Sequence, residues 1–567
     1  MNTAHSASSW SIFAGLDAQS QPRRHVGKAC ERCRQQKIKC NGELPCGRCV
    51  RLSIPCIMRR VARQRSKRPE GPGRPEDSQL IRIALKPVRI RDDTTGKTAV
   101  YGPTSTVALL HAIASRNRTD RAPCDGDSNS AGFAEADVSI DALKYLPFFL
   151  GNYNSPLTQD LSLSPQLCLT TIPNEMLRFF LARYVGTAWL MLPMQSPAQL
   201  GALFQSSYNA FGQNSPPPLF HPLMLYQLAM GALSTVQGEL GEMLAQEGEL
   251  FASGGEFLSG EMELQLDILK VQYHSELGSF DKAYSILGHI ASRVYATGLY
   301  LEPRSPAVER LLGVLIARES HICIALGRPP ILGSNIQVSN QDSSPHQKFI
   351  SGLFRICTPI LCMQQPPAEK FDQLWSSVWT IHGRLKTFWQ ENEPILRSRH
   401  ADLARQGISD ESIELNTAMY EYIVLTSLKP LLLYLGYKNA MEANEISPSS
   451  SQTESSTSPS PRLVTKDPRL STASECILFS ARKMISTVCG ICERGSISKD
   501  LPLHSFFLES ACISLISYAA WHGNSSEVWE SIDSAVQCLE GLQYQRPAVM
   551  RLAAIRVAIE QSGLERV

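Results

Sequence analysis

The chain has 567 residues, with a net charge of +2, a hydrophobic fraction of 43% and a charged fraction of 19%. This composition excludes a disordered, fibrous or disulfide-scaffold protein and leaves enough apolar material for large cores. Length alone suggests three or four domain-sized units. No run of about 18 uninterrupted apolar residues is present, so no transmembrane helix is expected. The N-terminal stretch lacks a basic segment followed by an apolar run and does not read as a secretory signal.

Charge is unevenly spread. Residues 21–68 hold 15 Lys and Arg against 2 Asp and Glu, while the rest of the chain holds 40 basic and 51 acidic residues. A concentrated cation on a mildly acidic chain points to nucleic acid or an anionic surface.

Taken in chain order, residues 1–25 are rich in Ser, Ala and Gln and read as disordered. Residues 26–60 carry six of the chain's 16 cysteines, Cys30, Cys33, Cys40, Cys46, Cys49 and Cys56. Residues 61–80 read as a linker, first basic and then Pro/Gly-rich. Residues 81–135 alternate apolar and polar positions around "DDTTGK", which predicts a short hairpin followed by a flexible loop. Pro87 limits one arm of that hairpin to an edge or an interruption.

Helical spacing dominates residues 136–444. In "IPNEMLRFFLARYVGTAWLM" it places Met176, Phe179, Phe180, Tyr184 and Ala188 on one face, with Asn174 as the cap after Pro173. Residues 445–470 form a Ser/Pro-rich segment that cannot build a core. Residues 471–567 return to helices, expected to pack on the preceding helical domain. The fold class is a small cysteine-rich domain plus a large all-α domain, with a flexible N-terminus and flexible linkers.

The cysteine block carries the chemistry. Without secretion, dense cysteines belong to a reducing compartment, where a metal site is more common than a disulfide framework. Two Cys-x2-Cys pairs, Cys30/Cys33 and Cys46/Cys49, are each followed by a later cysteine, Cys40 and Cys56. Zinc takes four thiolates tetrahedrally, so six sulfurs serve two ions only if two are shared. The repeated layout makes Cys30 and Cys46, the first of each half, the natural bridges. Cys33 and Cys40 then complete one site, and Cys49 and Cys56 the other. Both sites are closed to water, which argues against catalysis there. About 30 residues cannot fold on apolar burial alone, so the metal supplies the folding free energy.

"KACERCRQQKIKCNGELPCGRC" resembles the signature of the fungal binuclear zinc-cluster transcription factors, which hold two zinc ions on six cysteines. Asn41 stands where that family often has Asp, and it is not a ligand position. The resemblance implies that a zinc-fixed helix presents its end to the major groove and that CGG-type triplets are the target. Lys37 falls at the family's main base-reading position, and Gln36 stands where a second Lys is frequent. Arg34, Lys39 and Arg51 suit phosphate contacts, which position the protein without specifying sequence. Arg59, Arg60, Arg63, Arg65, Lys67 and Arg68 suit a nuclear-import signal, further phosphate contact, or both.

Four helical stretches between about 140 and 365 resemble the family's middle homology, or fungal transcription factor, domain. The most telling is "VERLLGVLIARESHICIALGRPPIL", where Gly327, Arg328 and Pro329 close a helix. Arg328 is expected to be a structural helix-end residue. No sustained heptads follow the linker, so a coiled-coil dimer is not expected, and dimerisation through the helical domain stays open. "CGIC", with Cys489 and Cys492, lacks cysteines near it in sequence and reads as ordinary helical cysteines.

These features imply a nuclear, DNA-binding regulator of RNA polymerase II transcription, not an enzyme, most simply a pathway-specific activator of a metabolic gene set. Its partners are double-stranded DNA, transcription machinery or co-regulators, and a small-molecule effector that the sequence does not locate; no membrane partner is expected. The alternatives are a repressor, an enzyme brought to DNA by its zinc cluster, or a zinc store.

Overall fold

In the computed structural model, the described residues are 30, 32–33, 36–37, 40, 46–52, 77–91, 98–119, 171–212, 221–253, 260–332, 336, 338, 345–362, 370–396, 410–445 and 467–566. The chain divides into two units, residues 1–74 and 75–567. In the first, the described helix is α1 (Gly47–Arg51). The described remainder is helical apart from one two-stranded hairpin.

The second unit opens with α2 (Asp77–Ala84), where the alternating sequence suggested the start of an extended segment. Leu80, Ile81, Ala84 and Leu85 are buried, a spacing that only a helix gathers on one side. Pro87 follows, and the chain turns extended. Strands β1 (Val88–Arg91) and β2 (Thr98–Tyr101) pair antiparallel, with Val88 opposite Tyr101 and Arg91 opposite Thr98. The "DDTTGK" turn between them lies outside the described residues. Helix α3 (Thr106–Thr119) then occupies part of what read as a flexible loop, and its first residues are buried.

Three consecutive elements form the next layer. Helix α4 (Asn174–Gly186) runs into a 3-10 turn (Ala188–Leu190), and α5 (Pro197–Gly212) follows. The buried face of α4 is Leu177, Phe180 and Tyr184, whereas Phe179 is half exposed. The expected Met176/Phe179 edge is therefore wrong, and Ala188 belongs to the 3-10 turn. The reason is a close crossing with α6 (His221–Leu233). A Cβ at Gly231 would stand 1.8 Å from the Phe180 carbonyl oxygen, so glycine there lets the backbones meet on the Phe180/Tyr184 side. Pro173, not Asn174, stands at the N-cap, and Asn174 is the first helical residue.

Helices α7 (Gly238–Ser253) and α8 (Gly260–Glu276) both pack on α6, and α9 (Phe280–Ala296) then packs on α8 and α10 (Pro306–Leu326) on α9. Helix α10 has clear punctuation. The Ser305 hydroxyl accepts from the Val308 amide at 3.2 Å, Pro306 starts the helix, and Gly327 ends it at φ 65°. A Cβ on Gly327 would also meet Gly102 Cα at 2.5 Å, so both backbone conformation and space require glycine.

Helices α11 (Pro345–Cys362), α12 (Phe371–Leu396) and α13 (Asp410–Glu445) lead to the C-terminal group. This group comprises α14 (Pro468–Arg494), a 3-10 turn (Ile497–Asp500), α15 (Leu503–Trp521), α16 (Ser526–Gly541) and α17 (Arg546–Ser562). Every residue of α15 is buried. It is long and apolar enough to cross a membrane, but here it packs against α3, α13, α14, α16 and α17 as the central helix of a core. The Ser/Pro-rich segment lies mostly outside the described residues, between the end of α13 and the start of α14.

Candidate metal centre and nucleic-acid interface

The buried cluster of the first unit is built of cysteine: Cys30, Cys33, Cys40, Cys46 and Cys49 are each no more than 7% exposed. Four of their sulfurs, those of Cys30, Cys33, Cys46 and Cys49, lie within 4.8 Å of one another. Cys46 caps α1 from an extended conformation (φ −68°, ψ 145°), and its sulfur accepts from the Cys49 amide at 3.4 Å. In the other half, the Gln36 amide bonds the Arg32 carbonyl at 3.0 Å, closing one helical turn that contains Cys33. Each Cys-x2-Cys pair thus sits at the start of a helical turn, which brings its two sulfurs to one side.

The sulfur separations test whether zinc fits. A tetrahedral ion with Zn–S of about 2.3 Å has ligand edges of about 3.8 Å. The observed Sγ–Sγ distances are 3.7 Å for Cys30–Cys46, 3.7 Å for Cys30–Cys49 and 3.8 Å for Cys33–Cys46. These cysteines form no disulfide and stand at ligand-edge spacing. The pattern also crosses between the halves: Cys30 touches Cys49, and Cys46 touches Cys33.

Electrostatics agrees. The Cys49 amide lowers Cys46 to about 6, and the Cys33 amide lowers Cys30. Hydrogen bonding with Cys30 pushes Cys33 up to about 12. Sulfurs this close cannot all ionise on their own, and a dication among them offsets that repulsion.

Three of the expected DNA contacts are among the described residues. Gln36 and Lys37 are exposed at the end of the first helical turn. Lys37 has φ 53°, a left-handed conformation that costs a residue with a Cβ roughly 1–2 kcal/mol. That conformation ends the turn at the lysine. Arg51 is exposed on α1, and its Nε donates to the Gly47 carbonyl at 3.2 Å. Arg34, Lys39, Cys56, Arg59, Arg60, Arg63, Arg65, Lys67 and Arg68 lie outside the described residues.

In the second unit, Arg328 serves the fold. It pairs with Asp281, donates from Nε to the Val100 carbonyl at 2.8 Å, and lies between the rings of Tyr101 and Tyr284. Tyr101 also donates to Asp281 at 2.7 Å. The GRP ending therefore holds the β-hairpin against α9 and α10. Glu319, within the "ARESH" stretch, accepts from the amides of Ile331 and Leu332, both at 2.6 Å, and fixes the following turn.

Sequence reasoning missed a further cysteine contact. Cys489 on α14 donates from Sγ to the Ser534 carbonyl of α16 at 3.6 Å, one helical turn from Cys538, whose thiol helps push Cys492 up. Nothing local in the sequence signals it, because the contact joins two separate helices.

Residues 28–66 match the fungal Zn(2)-Cys(6) binuclear cluster domain. Among similar curated proteins, Transcription factor PDR1 of Saccharomyces cerevisiae is 31% identical over 160 residues, covering 25% of this chain and 14% of that protein. An ABC-transporter-regulating transcription factor of Aspergillus oryzae is 27% identical over 168 residues, covering 23% of this chain and 19% of its own length. The Xylanolytic transcriptional activator xlnR of Aspergillus flavus is 29% identical over 124 residues, 22% of this chain and 11% of that protein. The chain thus spans less than a fifth of each of these relatives. No solved structure matches it. A matching cysteine pattern and sulfur spacing that suits zinc converge with these relatives: residues 28–66 of this chain carry a fungal Zn(2)-Cys(6) binuclear cluster domain, which holds two zinc ions, and the similar proteins are transcription factors.

Proposed function

We propose that this protein is a nuclear, sequence-specific DNA-binding regulator of RNA polymerase II transcription. The observation that carries this reading is the sulfur cluster at zinc-ligand spacing beside an exposed, helix-ending Lys37. In this reading Cys30 and Cys46 bridge the two ions, Cys33 and Cys40 complete one site, and Cys49 and Cys56 complete the other. The cross-half contacts of Cys30 and Cys46 support that sharing. Zinc, when bound, supplies the cross-links that stand in for an apolar core.

Lys37 reads a guanine edge through O6 and N7, with Gln36 beside it. Arg34, Lys39 and Arg51 grip phosphates, and the basic run Arg59–Arg68 adds backbone contact and nuclear import. Residues 26–60 are the reader and 61–80 the linker. The helical body is the regulatory part, and its DNA-dependent output is activation of a metabolic gene set. One similar protein is named a xylanolytic transcriptional activator, which supports activation.

The test is competition binding of the full zinc-loaded chain to duplexes with and without CGG triplets, at fixed salt. Wild type should prefer the CGG duplex. Lys37→Ala should lose roughly 1–3 kcal/mol of discrimination while non-specific binding persists. Arg51→Ala should weaken both duplexes alike and flatten the salt dependence. Equal discrimination by wild type and Lys37→Ala would refute the assignment.

A further inference from the structure

Helix α10 runs from the surface into the core of the body, and two rows of its residues line a groove. Arg310 and Val314 stand four residues apart in one row, and Gly313 and Ala317 in the next. Across from them lie Leu190 of the 3-10 turn and His346 and Ile350 of α11. The mouth is partly exposed at Arg310 and Gly313, and the inner end is buried at Ala317 and His346. One helical turn further in, the first row continues to Arg318 and the second to His321, each no more than 2% exposed.

Both inner side chains carry nitrogens with no partner among the described residues: Nε and Nη2 of Arg318, and both ring nitrogens of His321. Arg318 uses only Nη1, which donates to Gln272 Oε1 at 3.3 Å, while Gln272 Nε2 donates to Glu276 Oε1 at 3.0 Å. Gln272 thus stands between the guanidinium and the carboxyl. Burial pushes Glu276 up to about 8, so near neutral pH it is protonated and supplies no counter-charge. Arg318, pulled down by burial to about 10, keeps its charge there. A buried cation in this state lacks an anion. Nε and Nη2 form one edge of the guanidinium, two N–H groups side by side that match the two oxygens of a carboxylate. The groove that leads to this edge is walled by Leu190, Val314 and Ala317, which suit an apolar chain. We propose that the helical body binds a monocarboxylic acid with an aliphatic tail, its carboxylate on the Nε/Nη2 edge of Arg318 and its tail in the groove along α10.

The site lies wholly in the second unit and goes beyond the DNA-binding reading without resting on it. From Arg310 to Arg318 the helix rises about 12 Å, which leaves room for a tail of medium length. The acid enters head first between α10 and α11. Its last step passes the His346 ring, which meets the Leu190 carbonyl through Nε2 at 2.7 Å. Binding is ionic and involves no covalent step: the carboxylate gives Arg318 its missing counter-charge, and the His321 N–H is a second donor to it. An amide of the same chain lacks the charge, and inorganic phosphate lacks the tail.

The experiment titrates the full zinc-loaded chain with sodium octanoate by calorimetry, with octanamide and inorganic phosphate as the other probes. One octanoate per chain is expected, with octanamide and phosphate each weaker by roughly tenfold or more. Arg318→Met keeps a long unbranched side chain without the charge, and its octanoate affinity should fall on the order of a hundredfold. Gly313→Leu is the second variant. Within 4 Å a Cβ there meets only Val338 Cγ1, at 3.5 Å, so the fold has room for a side chain that fills the groove without replacing Arg318. It too should weaken octanoate by roughly tenfold or more. Thermal melting checks that both variants are folded. Zinc content and binding to the CGG duplex should match wild type in both, so a failure here leaves the DNA-binding reading standing. Three results would overturn the proposal: no octanoate bound by wild type, equal octanoate affinity in wild type and Arg318→Met, or octanamide or phosphate bound as tightly as octanoate.

Discussion

The two units of this chain solve the same folding problem with different materials. In the cysteine module the buried cluster is sulfur, and its helical turns are too short to stand alone. In the helical body, long helices bury whole faces, and α15 is buried along its full length. The body even buries charge: Glu509 and Arg551 form an ion pair at 1% and 3% side-chain exposure. Lys429, also buried, donates to Thr106 Oγ1 at 3.3 Å and Ser510 Oγ at 3.0 Å, and burial pulls it down to about 7. Metal chemistry should therefore govern the first unit alone, and buried-charge chemistry the second alone.

The largest effect expected from that contrast is zinc removal. Each structural zinc carries on the order of 10 kcal/mol of folding free energy. A chelator should unfold residues 26–58 and abolish DNA binding, while the helical signal and melting temperature of the body stay as they were. Circular dichroism with anisotropy on one sample reads both. Retained DNA affinity in the metal-free chain would break the contrast.

A smaller effect comes from the body. Glu509→Ala removes the carboxylate that pairs with the buried Arg551, which should cost about 3–5 kcal/mol. Denaturant unfolding should show the loss, and zinc content should not change.

A third test uses pH. Glu276 is fully buried and accepts from Gln272 Nε2 at 3.0 Å. Arg318, also buried, reaches the same Gln272 with Nη1 at 3.3 Å. Burial pushes Glu276 from its ordinary 4.5 up to about 8. Between those values the unfolded chain has released this proton and the folded chain has kept it. Its contribution to stability is thus full below pH 4.5 and falls as pH rises to about 8. Glu276→Gln cannot ionise, so its advantage over wild type should grow across that window, at roughly 1.4 kcal/mol per pH unit at most, and then level off. A constant difference from pH 5 to 8 would show that Glu276 is ionised in the folded body.

The same contrast explains what the sequence made legible. Metal ligation is local and depends on spacing, so the gathering of Cys30, Cys33, Cys46 and Cys49 could be expected from the two Cys-x2-Cys pairs. Helix α10 was equally readable, because Gly327 and Pro329 mark its end. The segment before Pro87 was misread because "IRIAL" alternates apolar and polar residues over a few positions. Burial of Leu80, Ile81, Ala84 and Leu85 shows the helical period that won. The face of α4 could not be read alone, since the crossing at Gly231 selects it. Asp281 as the partner of Arg328, and Ser534 as the partner of Cys489 in "CGIC", are contacts between distant segments that no local pattern encodes.

The claim that the sulfur cluster exists to aim Lys37 at DNA is tested most directly by mapping genome-wide occupancy of wild type and Lys37→Ala, with zinc content measured on both purified proteins. The account predicts a CGG-containing motif under the wild-type peaks, and loss of that motif in Lys37→Ala with both zinc ions retained. An unchanged motif in the variant, or no CGG enrichment for wild type, would contradict it.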